Sequence, residues 1–293
     1  MSSAPGSRTI NFSEPLTING RALPAMNPSI CRVNNGFLLN VRHVSYSLLP
    51  NGEYFSVGGL WLSLNKALWL SKDLIVSRQH VFSGTAKEYP RGLDDVRLLN
   101  VENEVHFYGS VLDWPRIRFL YGTYNTHLNH LGGVLIEPHS PFGSTYEKNW
   151  AFFRYEKRLY AVYTWSPLRI LEFVNNTIVS MEVKDVIQPF FNDMRGTSPG
   201  ERVGDEIWFV THITSYGPRN YLHALVALNV KTFEIARHSP LFKFQGELVE
   251  FCTGLLVERD RVLFSYGVWD KNALVTTVPI SVVDELLERG GKN

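Results

Sequence analysis

The sequence predicts an all-β protein, a five-bladed β-propeller with a short C-terminal helix. Three observations predict it. A hairpin pattern, a short polar turn followed by an aromatic-rich return strand, recurs five times at intervals of about fifty to sixty residues, the range of a repeated β unit. Further short strands fall between the hairpins, giving about four per interval, the composition of a propeller blade. Helical patterning is scarce along the whole chain.

Residues 1–20 read as a polar lead-in with one candidate strand, Arg8-Thr9-Ile10-Asn11-Phe12, and residues 21–293 as a single propeller domain. Whether that early strand closes the ring is left open by the sequence. The first hairpin opens at Asn27-Pro28-Ser29, turns at Asn34-Asn35-Gly36 and returns over residues 37–44. The second begins at Gly92-Leu93-Asp94-Asp95-Val96-Arg97, turns at Glu102-Asn103-Glu104 and returns over residues 105–109. Strand alternation puts Asp95 and Arg97 on one face and Asp94 on the other. The third leads from Glu147-Lys148-Asn149 through residues 150–154 and returns over 159–165. The fourth starts near Arg195, turns at Gly204-Asp205-Glu206 and returns over 207–212; the fifth pairs 250–257 with 262–267. Intervening strands are expected at 59–63, 117–121 and 222–228. The clearest helix is 281–288, with Ser281 as N-cap and acids in its first turn. Segment 127–146, rich in His, Gly and Pro, is the candidate functional loop.

Composition narrows the function classes. The formal charge is +1 with both signs well mixed, which gives no electrostatic footprint for nucleic acid. The two cysteines, Cys31 and Cys252, have no metal-ligand spacing and read as buried thiols. The first residues lack the apolar core of a signal peptide, and no apolar run is long enough to span a bilayer, so a cytoplasmic protein is expected. There is no Gly-rich phosphate loop, His-Glu-x-x-His or Gly-x-Ser-x-Gly motif. No metal or resident cofactor is called for, and self-association is left open.

The hairpins are antiparallel, so the start of each first strand and the end of each second lie at the same end. That end gathers Asn27, Arg42 and His43 from the first hairpin, and Asp94, Asp95, Arg97 and Tyr108 from the second. The third gives Glu147, Lys148, Asn149 and Trp165, the fourth Arg195, Ser198 and His212, and the fifth Glu250, Tyr266 and Asp270. In a closed propeller these ends converge on an axial pocket. Carboxylates and Asn for hydroxyls, Trp165 or Tyr266 for a ring face, and cations for an anion make the composition expected of a sugar site.

The ordered series Asn27-Pro28-Ser29, Gly92-Leu93-Asp94-Asp95-Val96-Arg97, Glu147-Lys148-Asn149-Trp150, His212 and Tyr266-Gly267-Val268-Trp269-Asp270 resembles the β-mannoside phosphorylases and mannosidases of glycoside hydrolase family 130, and the related propeller β-1,2-mannosyltransferases. The resemblance runs from about Asn27 to Glu285 and implies a five-bladed propeller. It implies that Asp95 is the catalytic acid of the family's Gly-x-Glu-Asp-Pro-Arg motif, with Arg97 as its arginine. Arg42 and Asp270 resemble sugar-binding positions, and Lys148 and His212 resemble phosphate ligands. Arg195 and Arg219 are candidates for the family's further phosphate arginines. Asp94 stands where the family has Glu, and Val96 where it has Pro.

The expected function is therefore inverting glycosyl transfer on a mannoside-like glycan, with Asp95 as general acid or base. Inorganic phosphate, a sugar phosphate, water or an acceptor hydroxyl would be the second reactant. A nucleotide-sugar-dependent glycosyltransferase, its diphosphate served by segment 127–146, and a non-catalytic glycan-binding propeller are the alternatives.

Overall fold

Five four-stranded antiparallel units stand around one axis in the computed structural model, which describes residues 1–131, 135–136, 141–175, 177–186 and 188–290. Blade 1 consists of Ala25–Val33, Gly36–Val44, Ser63–Leu70 and Val76–Phe82. Blade 2 consists of Asp94–Val101, Glu104–Asp113, Arg116–Thr123 and Leu135–Ile136, and blade 3 of Ala151–Tyr155, Arg158–Trp165, Leu168–Val174 and Thr177–Lys184. In blade 4 the innermost strand is split into Arg195–Gly196 and Glu201–Val203, followed by Glu206–Ser215, Asn220–Asn229 and Ile235–His238. Blade 5 takes Glu250–Val257, Arg261–Val268 and Asn272–Pro279 from the end of the chain and its outermost strand, Arg8–Asn11, from the beginning.

That last pairing revises the expected boundary. Residues 1–20 are not a lead-in outside the propeller, because Arg8–Asn11 pairs with Leu274–Thr277. A polar outer strand is what an edge facing solvent tolerates.

Apolar side chains meet between blades rather than within them, and one cluster fills each gap. Phe119 stacks on Trp150 at 4.6 Å between blades 2 and 3. Phe153 and Trp165 meet Phe209 between blades 3 and 4. Phe244 stacks on Tyr266 at 4.3 Å between blades 4 and 5. Leu39 and Val275 share the gap between blades 5 and 1, and Phe82 and Phe107 that between blades 1 and 2. Each such side chain contributes roughly 2–3 kcal/mol by leaving water, so the return strands are aromatic because both of their faces are covered.

Two local expectations are corrected. Residues 59–63 are not a strand: Gly58 and Gly59 take left-handed φ of 68° and 67° in a short 3₁₀ turn, and regular pairing begins only at Ser63. The helix is Ile280–Gly290, so Ser281 lies inside it rather than capping it. It buries Val283 and Leu287 in the cluster between blades 4 and 5.

Candidate active site

At the end where inner strands start, a cavity of about 150 Å³ opens on the axis. Its wall includes Asn27 and Arg42 of blade 1, Asp95 of blade 2, and Lys148 and Asn149 ahead of blade 3. Arg195 and His212 come from blade 4, and Asp270 from the turn after the second strand of blade 5. Nine of the sequence-predicted residues, Asn27, Arg42, Asp95, Lys148, Asn149, Arg195, His212, Arg219 and Asp270, thus line one cavity.

The inner strands are distorted where they reach the cavity. Pairing in blade 2 runs Asp94 to Ser110 and then Arg97 to Tyr108, so Asp95 and Val96 together face the single residue Gly109. This is a β-bulge, and Asp95 sits in it at a left-handed φ of 49°. Gly109 is required opposite: a Cβ there would lie 2.9 Å from the Asp94 carbonyl. Blade 1 repeats the device, with a register shift between Met26 and Ser29 and Asn27 at φ 40°. Asn149 and Asp270 are also left-handed, at 63° and 51°.

The bulge corrects the expected alternation of faces. Asp94 and Asp95 converge on Arg42 instead of pointing apart. The Arg42 Nη2 donates to Asp94 at 2.5 Å and to the Tyr46 hydroxyl at 2.8 Å, and its Nη1 donates to Asp95 at 2.9 Å. Its Nε is held by Ser63 at 2.7 Å. Arg97 does not pair with the Asp95 carboxylate. It lies buried beneath the cavity, donating to the backbone carbonyls of Thr197 at 2.6 Å and Asp95 at 2.8 Å. One guanidinium therefore anchors the bulge in blade 2 to the inner edge of blade 4.

The carboxyls differ in charge state. Burial pushes Asp95 up, but Arg42, Arg97, the Asn27 amide and Lys148 outweigh it and hold the group below the ordinary carboxylate value. Its side chain keeps 25% exposure, open to the cavity. Asp94 is raised, because burial and the neighbouring Asp95 exceed the pull of Arg42. Asp270, 7% exposed, is pushed up to about 6 by burial, against the attraction of Arg42 and Arg219.

The same cavity is also lined by cations. Lys148 and Arg195 are exposed to it and, among the described residues, neither has a carboxylate partner. His212 is buried with Nδ1 in a short hydrogen bond with the Thr197 hydroxyl. Burial, His223 and the cations Arg195, Arg97 and Lys148 hold it well below the ordinary histidine value, so it is neutral. Arg219 lies over the Tyr54 ring at 4.9 Å and the Tyr216 ring at 5.4 Å.

Other predicted residues are placed elsewhere. His43 follows Arg42 in a strand and so faces the opposite way, buried with Nδ1 against the Leu23 carbonyl at 3.2 Å. Trp165 and Tyr266 are core rather than stacking platforms, filling the gaps that flank blade 4. Asp94 stands behind Arg42 rather than on the cavity wall. Glu147 is taken up by the Trp150 indole and the Tyr163 hydroxyl, and Glu250 caps the amides of Phe244, Gln245 and Glu247.

The aromatic wall expected from Trp165 and Tyr266 comes instead from two connections between second and third strands. In blade 1, the segment between Val44 and Ser63 folds as a small hairpin, Tyr46–Leu48 with Tyr54–Ser56, bringing Tyr46 and Tyr54 to the cavity. In blade 4, the long hairpin of Glu206–Ser215 and Asn220–Asn229 brings Thr214, Tyr216 and Tyr221. The Arg219 Nη1 donates to the Tyr54 hydroxyl at 3.2 Å, so the two connections meet and roof one side. The sequence signal of the blade 1 connection is length: its eighteen residues between two strands exceed a hairpin turn. Of segment 127–146, residues 132–134 and 137–140 lie outside the described residues, and none of its described residues lines the cavity. Among the described residues, no group of three His, Cys, Asp or Glu is placed to hold a metal, and no helix is long and apolar enough to cross a membrane.

The sequence matches no protein-family model and no curated protein. Its fold matches solved structures over nearly its whole length. A β-1,2-mannobiose phosphorylase from Listeria innocua, in complex with β-1,2-mannobiose, is similar with a TM-score of 0.69 and 15% identity, over 96% of this chain and 99% of that one. MPT-4, a mannose phosphorylase from Leishmania mexicana in complex with phosphate ion, is similar with a TM-score of 0.56 and 14% identity, over 87% and 83%. A structure from the GH130 family of mannoside phosphorylases, which contains glycoside hydrolases that target β-1,2-mannosidic linkages in Candida mannan, is similar with a TM-score of 0.57 and 10% identity, over 91% and 88%. At these identities the likeness is one of fold: the chain is a five-bladed β-propeller with an axial pocket.

Proposed function

We propose that the protein is a carbohydrate-active enzyme that transfers a mannose-like unit with inversion between phosphate and a glycan hydroxyl, with Asp95 moving the proton. The observation that carries this reading is the presence, in one cavity, of an ionised carboxylate and of cations without carboxylate partners among the described residues. Such cations match a phosphate, and such a carboxylate matches a hydroxyl proton. The mannoside and phosphate ligands of the structurally similar phosphorylases support the choice of reactants.

The resting charge of Asp95 fits the synthetic direction. A sugar 1-phosphate would lie with its phosphate on Lys148, Arg195 and His212 and its ring against Tyr54 or Tyr221. The acceptor hydroxyl oxygen attacks the anomeric carbon and its proton passes to Asp95, while the bond to the phosphate oxygen breaks and phosphate leaves with the electron pair. Cleavage is the reverse, with protonated Asp95 returning the proton to the glycosidic oxygen. The roof formed by Arg219 and Tyr54 favours a chain end over a chain middle.

The test is an NMR turnover screen of mannose 1-phosphate with short mannosides, of mannosides with inorganic phosphate, and of nucleotide sugars. Phosphate release with a new mannosidic signal is the expected result. Turnover of a nucleotide sugar alone would replace this reading with a transferase of different donor. Binding without turnover, unchanged in Asp95→Asn, would make the protein a glycan-binding propeller.

A further inference from the structure

The other mouth of the propeller holds a larger cavity than the one described above. Where the inner strands end, a cavity of about 420 Å³ lies among residues 31–34 of blade 1, Leu98, Leu99, Asn100 and Asn103 of blade 2, Arg154 of blade 3 and residues 200–202 of blade 4. That size falls within the range of small-molecule pockets. It is separate from the candidate active site, since the two cavities share no lining residue.

We propose that this rear cavity binds a small organic polyanion, a phosphate ester or a polycarboxylate, through Arg32, Arg154 and Arg202. The three guanidinium groups come from three different blades and are positioned mainly by carbonyl oxygens. Arg32 Nη2 donates to Val257 O at 2.8 Å, and Arg202 Nε to Gly204 O at 3.2 Å. Arg154 Nη2 donates to Lys157 O at 2.9 Å and to the exposed Glu102 carboxylate at 3.2 Å. A carbonyl partner orients a guanidinium without neutralising it, and each group has five N–H donors. The donors left over suit the paired oxygens of a phosphate or carboxylate.

The other polar groups fit the same ligand. Asn100 turns its amide nitrogen to Arg32 O at 2.9 Å, and its side-chain oxygen accepts the Asn103 amide at 3.1 Å, which fixes the blade 2 turn at the rim. Among the described residues, Glu201 is the one carboxyl on the wall. Burial pushes it up to about 7 against the attraction of Arg32; this favours the protonated group, and that group is itself a donor. Val33, Leu98 and Leu99 supply an apolar floor for the body of an organic anion.

The experiment titrates the full-length, isotope-labelled protein with pyrophosphate and, separately, with citrate, and follows backbone amide shifts. Saturable shifts at Asn100, Asn103 and Gly200 are expected, and the double variant Arg32→Ser/Arg202→Ser should weaken them by about tenfold to a hundredfold. Both arginines are exposed, so the variant should keep the parent's Tm. Shifts at Asn149 and Arg195, which report the opposite mouth, should be unchanged in it. Response to pyrophosphate alone would specify phosphate esters, and equal response to both would support recognition of polyanions generally. No shift at the rear residues at millimolar ligand, or shifts indifferent to the double variant, would overturn the proposal.

Discussion

The two ends of the same inner strands behave differently. At the turn end, pairing in blades 1 and 2 is regular from Ser29 to Val33 and from Arg97 to Val101. At the cavity end the same strands bulge, and Asn27 and Asp95 occupy backbone conformations that residues other than glycine seldom adopt. Each such position costs of order 1–3 kcal/mol and persists only where surrounding contacts over-determine it. Here the contacts are the Arg42 and Arg97 hydrogen bonds. The comparison teaches that interblade packing stabilises the ring, while a few buried charges hold the cavity end in a shape the strands alone would not take.

The largest effect should come from Asp95→Asn, which keeps a side chain able to bond Arg42 and Asn27 but removes the proton acceptor. Turnover should fall by about a hundredfold to ten-thousandfold with sugar affinity and Tm nearly unchanged. An intact rate would separate the distorted end from catalysis altogether. Arg42→Met should break the comparison from the structural side. It leaves Asp94 and Asp95 facing each other without their cation, and because both carboxylates are partly exposed the loss should be about 2–4 kcal/mol, read by urea unfolding. A loss below about 0.5 kcal/mol would mean that packing alone shapes the cavity end.

Lys148→Ala should leave stability alone and raise the KM for phosphate by about tenfold, while the KM for the glycan stays put. An equal rise in both would deny it a phosphate-specific role. Asp270→Asn tests the cost of the site. An acid raised to about 6 in the fold, from about 3.9 when unfolded, binds more protons in the native state, so stability falls as pH rises through that window and the penalty is complete above it. The variant should therefore be more stable than the parent above about pH 7, by roughly 3 kcal/mol, and should lose that advantage as pH falls toward the unfolded value. A pH-independent difference would show that Asp270 does not titrate in this range. The smallest effect is reserved for the core: Tyr266→Phe removes one hydrogen bond to Thr276, 3.0 Å long, and should cost about 1 kcal/mol with turnover unaffected.

Much of the fold was legible because hairpins announce themselves locally, by polar turns and aromatic returns. The same logic located Asn27, Arg42, Asp95, Lys148, Arg195, His212 and Asp270, since antiparallel pairing alone brings strand starts and strand ends together. What was not legible depends on distant partners. The face of Asp94 departs from simple alternation because a bulge resets it, and the bulge is held by Arg42, about fifty residues away in sequence. Trp165 and Tyr266 have the chemistry of a sugar platform, but their place is decided by neighbouring blades, which a strand pattern does not reveal. Tyr46, Tyr54, Tyr216 and Tyr221 ride on connections whose course depends on each other.

The outer strand of blade 5 has a consequence for synthesis. Arg8–Asn11 leaves the ribosome early, but its partner Leu274–Thr277 is made near the end. At ordinary elongation rates the first strand waits on the order of tens of seconds for its neighbour. Blades 1 to 4 have all their strands in hand as they emerge, whereas the ring stays open until the last one arrives. During translation the nascent chain is therefore an arc with an unpaired N-terminal strand. A fusion partner or bulky tag that sequesters residues 8–11 would act on that arc, impairing final closure while leaving the earlier blades able to form.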